Sequence, residues 1–324
     1  MSHHFESGMF VRKPAWHGLG TVLDEPPTVS EAIVEAGLDW KVTKEPLFTK
    51  EAEVDAALHS TPLLRQAPNH NALVRSSDRK ILGVAGERYR PLQNMEAFEF
   101  FNPFLDKKVA TLETAGSLMG GKVVWVLAKL NGFEDEVVAN DPVQAHLLLS
   151  NSHTGSGAVR VLFTPTRVVC WNTLSAAESA PKSIVKVVHS KNLTNSLTAV
   201  QEAVDVANQT FAFSLDDYRA MARKEITVEG LKNYVRTVLD VPAEVKDMPR
   251  AWEGIEAAFE SGPGSDIPGV DGTVWNAYNA VTHWVDHQRG RTDESRLTAS
   301  WFQPGVGPAI RKKAHAEAVE LATA

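Results

Sequence analysis

A single cysteine, Cys170, stands among the 324 residues, so no intramolecular disulfide can form and burial and hydrogen bonds must hold the fold. Such cysteine poverty fits a reducing compartment. Long apolar runs are missing too. The longest, "VVWVLA" from Val123 to Ala128, is far short of the ~20 apolar residues a membrane-spanning helix needs. The opening "MSHHFESGMF" lacks the apolar stretch of an export signal, so cytoplasmic residence is expected and a membrane partner is not. Catalytic signatures are absent: no Gly-Lys-Ser/Thr phosphate loop, no Gly-x-Ser-x-Gly elbow, no His-Glu-x-x-His and no Cys-x-x-Cys. The Gly-x-Gly of "AWHGLG", Ala15 to Gly20, follows no plain strand and has no third glycine at the right offset. It reads as an aromatic anchor, Trp16, followed by a turn. There is no internal repeat and no low-complexity segment.

One further scarcity is local. From Pro142 to Gln201 the only acidic residue is Glu178, against Arg160, Arg167, Lys182, Lys186 and Lys191. The chain as a whole is acidic, with a net charge of −7, so its average surface repels polyanions. This window is the exception. It contains "LLLSNSHTGSGAVRVLFTPTRVVCWNTL", Leu147 to Leu174, in which two apolar runs flank a polar, glycine-containing loop. Asn151, Ser152 and His153 are hydrogen-bond donors of the kind phosphate oxygens accept, although the same residue types are also simply what hairpin turns use. Alternation of Val159, Val161 and Phe163 toward a core sends Arg160 to the other face, while Pro165 breaks the register before Arg167.

What is present in quantity is ordinary core-forming material. The hydrophobic fraction of 43% and charged fraction of 23% match soluble globular proteins and exclude wholesale disorder. The fold class expected is α+β: an antiparallel multi-stranded sheet with flanking helices, followed by a helical C-terminal half. A strand-rich domain carrying the cationic hairpin spans 1–190, and a helical region packed on it spans 191–324, with a soft boundary. "KILGVA" reads as a strand. Asn94 then caps a helix burying Phe98, Phe101 and Leu105, shortened or bent by Pro103. About four strands follow between Val109 and Phe163, with a glycine-rich turn at Gly116 to Gly121, forming a meander with one face covered and one wet. Helical spacing recurs at Leu197, Val200, Val204, Ala207 and Phe211, and over residues 215–226, 228–239, 251–259, 273–288 and 309–321.

Two reactive groupings read as structural. Cys170, between Val169 and Trp171, has the surroundings of a small buried hydrophobe rather than an activated thiol. His283 and His287 are four apart, the spacing of a shared metal, but no third ligand can be named. They lie away from the stripe Val274, Ala277, Tyr278, Val281, Trp284 and Val285, on the face that carries Asn276. No metal and no cofactor are therefore expected.

"WHGLG", "LGVAGERYRPLQNMEAFEFF", "LETAGSLMGGKVVWVLAKL", the Leu147 to Leu174 stretch and "GTVWNAYNAVTHWVDH", in that order, resemble a family of phage and plasmid-like proteins carrying a domain of unknown function, domain 932. The likeness runs from Trp16 to beyond Trp301. It implies carriage on mobile DNA and residence in a bacterial cytoplasm. The middle region, a helix, a hairpin sheet with a cationic face and a following helix, is similar in arrangement to phage single-strand annealing proteins, which grip the backbone of unwound DNA. The long helical half and the net acidity depart from those proteins.

The leading expectation is a non-enzymatic protein that binds single-stranded nucleic acid in replication or recombination. Arg160, Arg167, Lys182, Lys186 and Lys191 would neutralise phosphates, and Asn151, Ser152 and His153 would donate to them. Arg90 would support the same face, and Tyr89 or Trp171 would stack a base where exposed. The competing readings are a scaffold that meets a protein partner through its C-terminal helices, and a metal- or thiol-dependent enzyme built on His283 and His287 or on Cys170. The oligomeric state, a homo-oligomer included, is left open.

Overall fold

The computed structural model describes residues 5–15, 18–50, 64–155, 159–164, 184–187, 211–289 and 306–324. The chain is α+β. Two sheets of mostly antiparallel strands occupy the N-terminal part, and helices dominate the C-terminal part.

The larger sheet has seven strands: β1 (Phe5–Val11), β2 (Thr21–Leu23), β6 (Ala110–Leu118), β7 (Val123–Glu136), β8 (Pro142–Ser152), β9 (Val159–Thr164) and β10 (Ile184–Val187). They lie in the order β10-β9-β8-β7-β6-β1-β2, antiparallel except where β2 runs parallel to β1. The four strands from β6 to β9 are the expected meander. The turn between β6 and β7 is tighter than expected, because Gly116 is a strand residue and only Met119, Gly120 and Gly121 take left-handed backbone angles. Gly116 is required by packing: a methyl there would overlap the Ser7 carbonyl and the Trp125 ring.

Three short helices, α1 (Val29–Glu35), α2 (Asn94–Glu99) and α3 (Asn102–Asp106), supply the first layer against this sheet. Ile33, Phe98, Phe101 and Phe104 pack on Val124, Val126, Leu147, Leu149, Val159 and Val161. Pro103 shortens the expected helix rather than bending it: α2 stops at Glu99, and Pro103 sits in the first turn of α3. The expected wet face is a correction. Phe10, Trp125, Leu127 and Leu148 form another apolar cluster on the opposite side and are all fully buried, so the central strands carry core on both faces. A tryptophan that buries roughly 200 Å² contributes about 5 kcal/mol before its ordering cost. Leaving Trp125 on a wet face would forfeit that.

The smaller sheet, β3 (Val42–Lys50), β4 (Leu64–Arg75) and β5 (Ile81–Gly86), is antiparallel in that order. Arg75 ties it to the larger one. Its guanidinium forms a two-bond fork with Asp78 at 2.8 and 2.5 Å and bonds Glu6 of β1 at 2.8 Å. It also lies 5.4 Å from the centre of the Trp40 ring. The Arg75 hydrogen bonds, helped by the Lys80 backbone N–H, hold Asp78 well below the usual carboxylate range.

Among the described residues five helical stretches follow: α4 (residues 211–223), α5 (Val228–Val238), α6 (Trp252–Ser261), α7 (Val274–His287) and α8 (Val306–Thr323). Thr227 and Thr273 cap α5 and α7 by accepting from the backbone N–H of Gly230 and Asn276. Met221, Val235, Ile255, Ala277, Val281, Ala314 and Ala318 form their common core. Ala314 and Ala318, one turn apart on α8, let that helix approach closely enough for the buried Tyr234 hydroxyl to donate to the Ala314 carbonyl at 2.9 Å. The expected domain boundary near residue 190 lies outside the described residues.

The tightest test of this architecture is where β5 meets the loop after β8. A methyl on Gly83 would overlap the backbone of Thr154, and one on Gly155, whose φ is +85°, would overlap the Val84 carbonyl. Gly83→Ala is expected to cost about 1–3 kcal/mol as overpacking, and Gly155→Ala a further ~1–2 kcal/mol for its left-handed backbone. Gly132→Ala, also left-handed at φ +84° but with open space around it, should lose only the conformational part. Urea unfolding midpoints of the three variants check this ranking.

Candidate nucleic-acid interface

The polar loop expected to offer donors to phosphate is consumed by the fold. Asn151 faces the helical layer and donates from Nδ2 to the Leu92 carbonyl at 3.2 Å. The Ser152 hydroxyl pairs with that of Thr154 at 2.9 Å. His153 is completely buried, its Nε2 bonded to Asn94 Oδ1 at 2.9 Å and its ring edge-on to Trp40 at 5.4 Å. The backbone N–H of His153 goes to the Lys122 carbonyl. All three side chains are at most 5% exposed, so Asn151, Ser152 and His153 are removed from any phosphate-binding role. The physical reason is the glycine contact above: once the Thr154–Gly155 backbone docks on β5, the loop is interior, and its polar groups must find partners inside.

The same network corrects the expected role of Asn94. Gln93, not Asn94, precedes α2 and shares a capping box with Glu96. Asn94 is buried, donating from Nδ2 to the carbonyls of Leu38 (3.0 Å) and Trp40 (3.4 Å) while receiving His153. Sequence showed a capping residue type at a helix start; only the distant His153 shows why its side chain turns inward.

Two of the five expected cations come together. Arg160 on β9 and Lys186 on β10 are direct register partners, and Arg160 is in turn the partner of Ser150 on β8. The row continues inward through Trp125 to Gly116, so both cations occupy register positions of the Trp125 face, at the β10 edge of the sheet. Ser150, one strand inward in this row, is buried. Arg167, Lys182, Lys191, Cys170 and Trp171 lie outside the described residues. Tyr89 is half-buried, packs against the main core and donates to the Ser152 carbonyl at 3.4 Å; burial pushes its hydroxyl pKa up. It is therefore tied to the loop rather than presented for stacking. Arg90 is exposed.

Sequence reasoning missed a buried pair on the Trp125 face. His146 Nε2 lies 2.7 Å from Glu113 Oε2, with the imidazole almost fully buried. Glu113 sits at a register shift in β6 between Leu112 and Thr114, where an extra residue re-aims the side chain. The two residues are 33 apart, and no local pattern could pair them. On the same face the indole N–H of Trp125 donates to the Thr114 hydroxyl at 3.2 Å.

His283 and His287 both belong to α7. His283 is half-buried, and burial lowers its pKa. The face that carries Asn276 is partly interior: Asn276 is buried and donates to the Phe259 carbonyl at 2.9 Å. Among the described residues no three His, Cys, Asp or Glu side chains are grouped to hold a metal ion, and no helix is long and apolar enough to cross a membrane.

His153→Ala separates a structural from a binding role. It strips Asn94 Oδ1 of its partner in a buried setting, so stability should fall by about 1–3 kcal/mol. Any oligonucleotide binding should keep its salt dependence in the folded variant. Denaturant titration paired with fluorescence anisotropy reads both.

No curated protein and no solved structure matches the chain. A family model described as a domain of unknown function, DUF932, matches residues 81–301. That span opens at β5, takes in the docked loop and the β6 to β10 strands, and runs past α7, so it covers more than half of the chain and both the sheet and helical parts. The chain belongs to the DUF932 family.

Proposed function

We propose that the protein binds single-stranded nucleic acid, without catalysing a reaction on it, along the β9–β10 edge of the larger sheet, and that it serves replication or recombination of phage- or plasmid-type DNA. The observation that carries this reading is the register pairing of Arg160 with Lys186 inside a stretch whose only acidic residue is Glu178. Neighbouring positions on adjacent strands lie about 5 Å apart, so two cations there repel one another unless an anion compensates them. A phosphate backbone supplies that anion with no demand on base sequence. Arg167, Lys182 and Lys191 extend the cationic stretch along the sequence.

The mode of binding follows from what the loop cannot offer. With Asn151, Ser152 and His153 engaged internally, hydrogen-bond readout by them is lost, and the interaction is electrostatic. A net charge of −7 opposes it, so affinity is modest and depends strongly on salt. With all five cations engaged, log affinity falls against log salt with a slope of about −3.5, each phosphate contact on a single strand contributing ~0.7.

The expected result is that Arg160→Ala combined with Lys186→Ala shallows this slope by about 1.4 and weakens binding alike for all sequences. Anisotropy titrations of a labelled oligonucleotide across a salt series measure it. A slope identical to that of the parent protein, or no salt dependence in the parent, removes the reading in favour of a scaffold that meets a protein partner through its helices.

A further inference from the structure

The β7–β8 hairpin is longer than the sheet it belongs to. Its register is regular up to Lys129 and His146 and resumes only at Glu134 and Gln144, while on the other side pairing with β6 ends at Leu130. Asn131, Gly132 and Phe133 therefore have no register partner on either neighbouring strand. Such a bulge bends a ribbon. Beyond it the tip reaches the helical unit: Val137 is buried in the helical core, Arg219 of α4 bonds Asp135 at 2.6 Å, and Trp275 of α7 donates its indole N–H to Asp141 Oδ2 at 2.8 Å.

The bulge contains the one Asn-Gly dipeptide of the sequence, Asn131–Gly132, and both residues are exposed. Gly132 stands at φ +84°, and a Cβ added there would meet nothing within 4 Å, so its backbone has room to turn. Having no register partner, it has no ladder to leave. Asn131 is held more closely: its backbone N–H donates to the Val109 carbonyl at 3.0 Å and its side-chain Nδ2 to the Lys108 carbonyl at 2.9 Å. A single exposed hydrogen bond of the second kind restrains the side chain by about tenfold at most. The carboxylates that follow would oppose the build-up of negative charge at the Gly132 nitrogen, but Lys129 is paired with Glu134 and Arg219 with Asp135, which compensates two of them.

We propose that Asn131–Gly132 is a self-modifying site, at which the folded chain converts Asn131 to aspartate and isoaspartate with water as the co-reactant. The reading is independent of nucleic-acid binding. The backbone nitrogen of Gly132 gives its proton to hydroxide and attacks Cγ of Asn131. The new C–N bond closes a cyclic imide as the Cγ–Nδ2 bond breaks, and Nδ2 takes a proton from water and leaves as ammonia. A second water then opens the ring. Addition at Cγ gives aspartate, and addition at the backbone carbonyl carbon gives isoaspartate, in which the main chain continues through Cγ. Nothing is oxidised or reduced. Either product replaces the donor to the Lys108 carbonyl with a carboxylate, beside Glu134, Asp135 and Glu136. Isoaspartate also lengthens the main chain within the bulge. Asn140 is the natural comparison, since it is exposed in the same hairpin but is followed by Asp141, whose side chain crowds its backbone nitrogen.

Incubation of the full-length chain in mildly alkaline buffer, with peptide mass spectrometry against time, tests the site. The peptide containing Asn131 should gain about 1 Da, ahead of the peptide containing Asn140, with isoaspartate identified by its fragmentation. The gain should slow in mildly acidic buffer, where hydroxide is scarce. Gly132→Ala, whose methyl crowds the attacking nitrogen, should lose most of it, and Asn131→Gln, whose longer side chain closes the ring far less readily, nearly all. Should Gly132→Ala fail to fold, Asn131→Gln still carries the test. A peptide unchanged in the folded protein while the urea-unfolded chain converts overturns the proposal, because the Lys108 and Val109 bonds would then be holding Asn131 away from Gly132. So does conversion that reaches Asn140 first, or one that persists undiminished in either variant.

Discussion

A sheet with core on both faces leaves its polar side chains nowhere to go except to one another. β7 and β8 pass between the layer of Phe98, Phe101 and Phe104 on one side and the cluster around Phe10, Trp125 and Leu148 on the other. Every donor or acceptor on those strands pays a desolvation penalty of about 1–3 kcal/mol if left unmatched. The paired groups follow from that: Trp125 with Thr114, His146 with Glu113, Asn151 with the Leu92 carbonyl, and His153 with Asn94. These bonds connect segments tens of residues apart, so they fix how the layers meet as well as satisfying the groups involved.

The function proposed for the chain is shaped by the same constraint. A doubly buried centre cannot present a binding face, and any nucleic-acid contact is pushed to the rim, where β9 and β10 bring Arg160 and Lys186 together. Ser150, one strand inward in the same row, is buried. A site of this kind has few directional donors, which suits recognition of a charged backbone better than recognition of bases.

The links between parts of the molecule differ in kind. Between the two sheets, Arg75 works as a buried multi-bond hub with Glu6, Asp78 and the Trp40 ring, and the Gly83 and Gly155 backbones meet without side chains between them. Contacts of that sort are rigid, because neither charge nor backbone can be displaced cheaply. The tip of the β7–β8 hairpin reaches the helical unit through an acid-rich ribbon beyond a bulge, held by a neutral indole and one arginine.

The sequence by itself determined the element types: period-two and short apolar runs separated by turn residues yielded the β6 to β9 meander, and stripes at three and four spacing yielded α5 to α8, since both signals are local. It also determined that Arg160 and Lys186 sit in an acid-poor window. Only tertiary structure decided which faces were wet. "SNSHTGSG" has the composition of a solvated turn, and nothing within it reports that Gly83, some 70 residues earlier, offers a backbone surface on which Thr154 and Gly155 dock. Glu113 with His146 and Asp141 with Trp275 were equally illegible, because a hydrogen bond between residues 33 or 134 positions apart leaves no periodicity in either segment. Local patterns record what each residue prefers; which preference is honoured depends on the surface that folding brings against it.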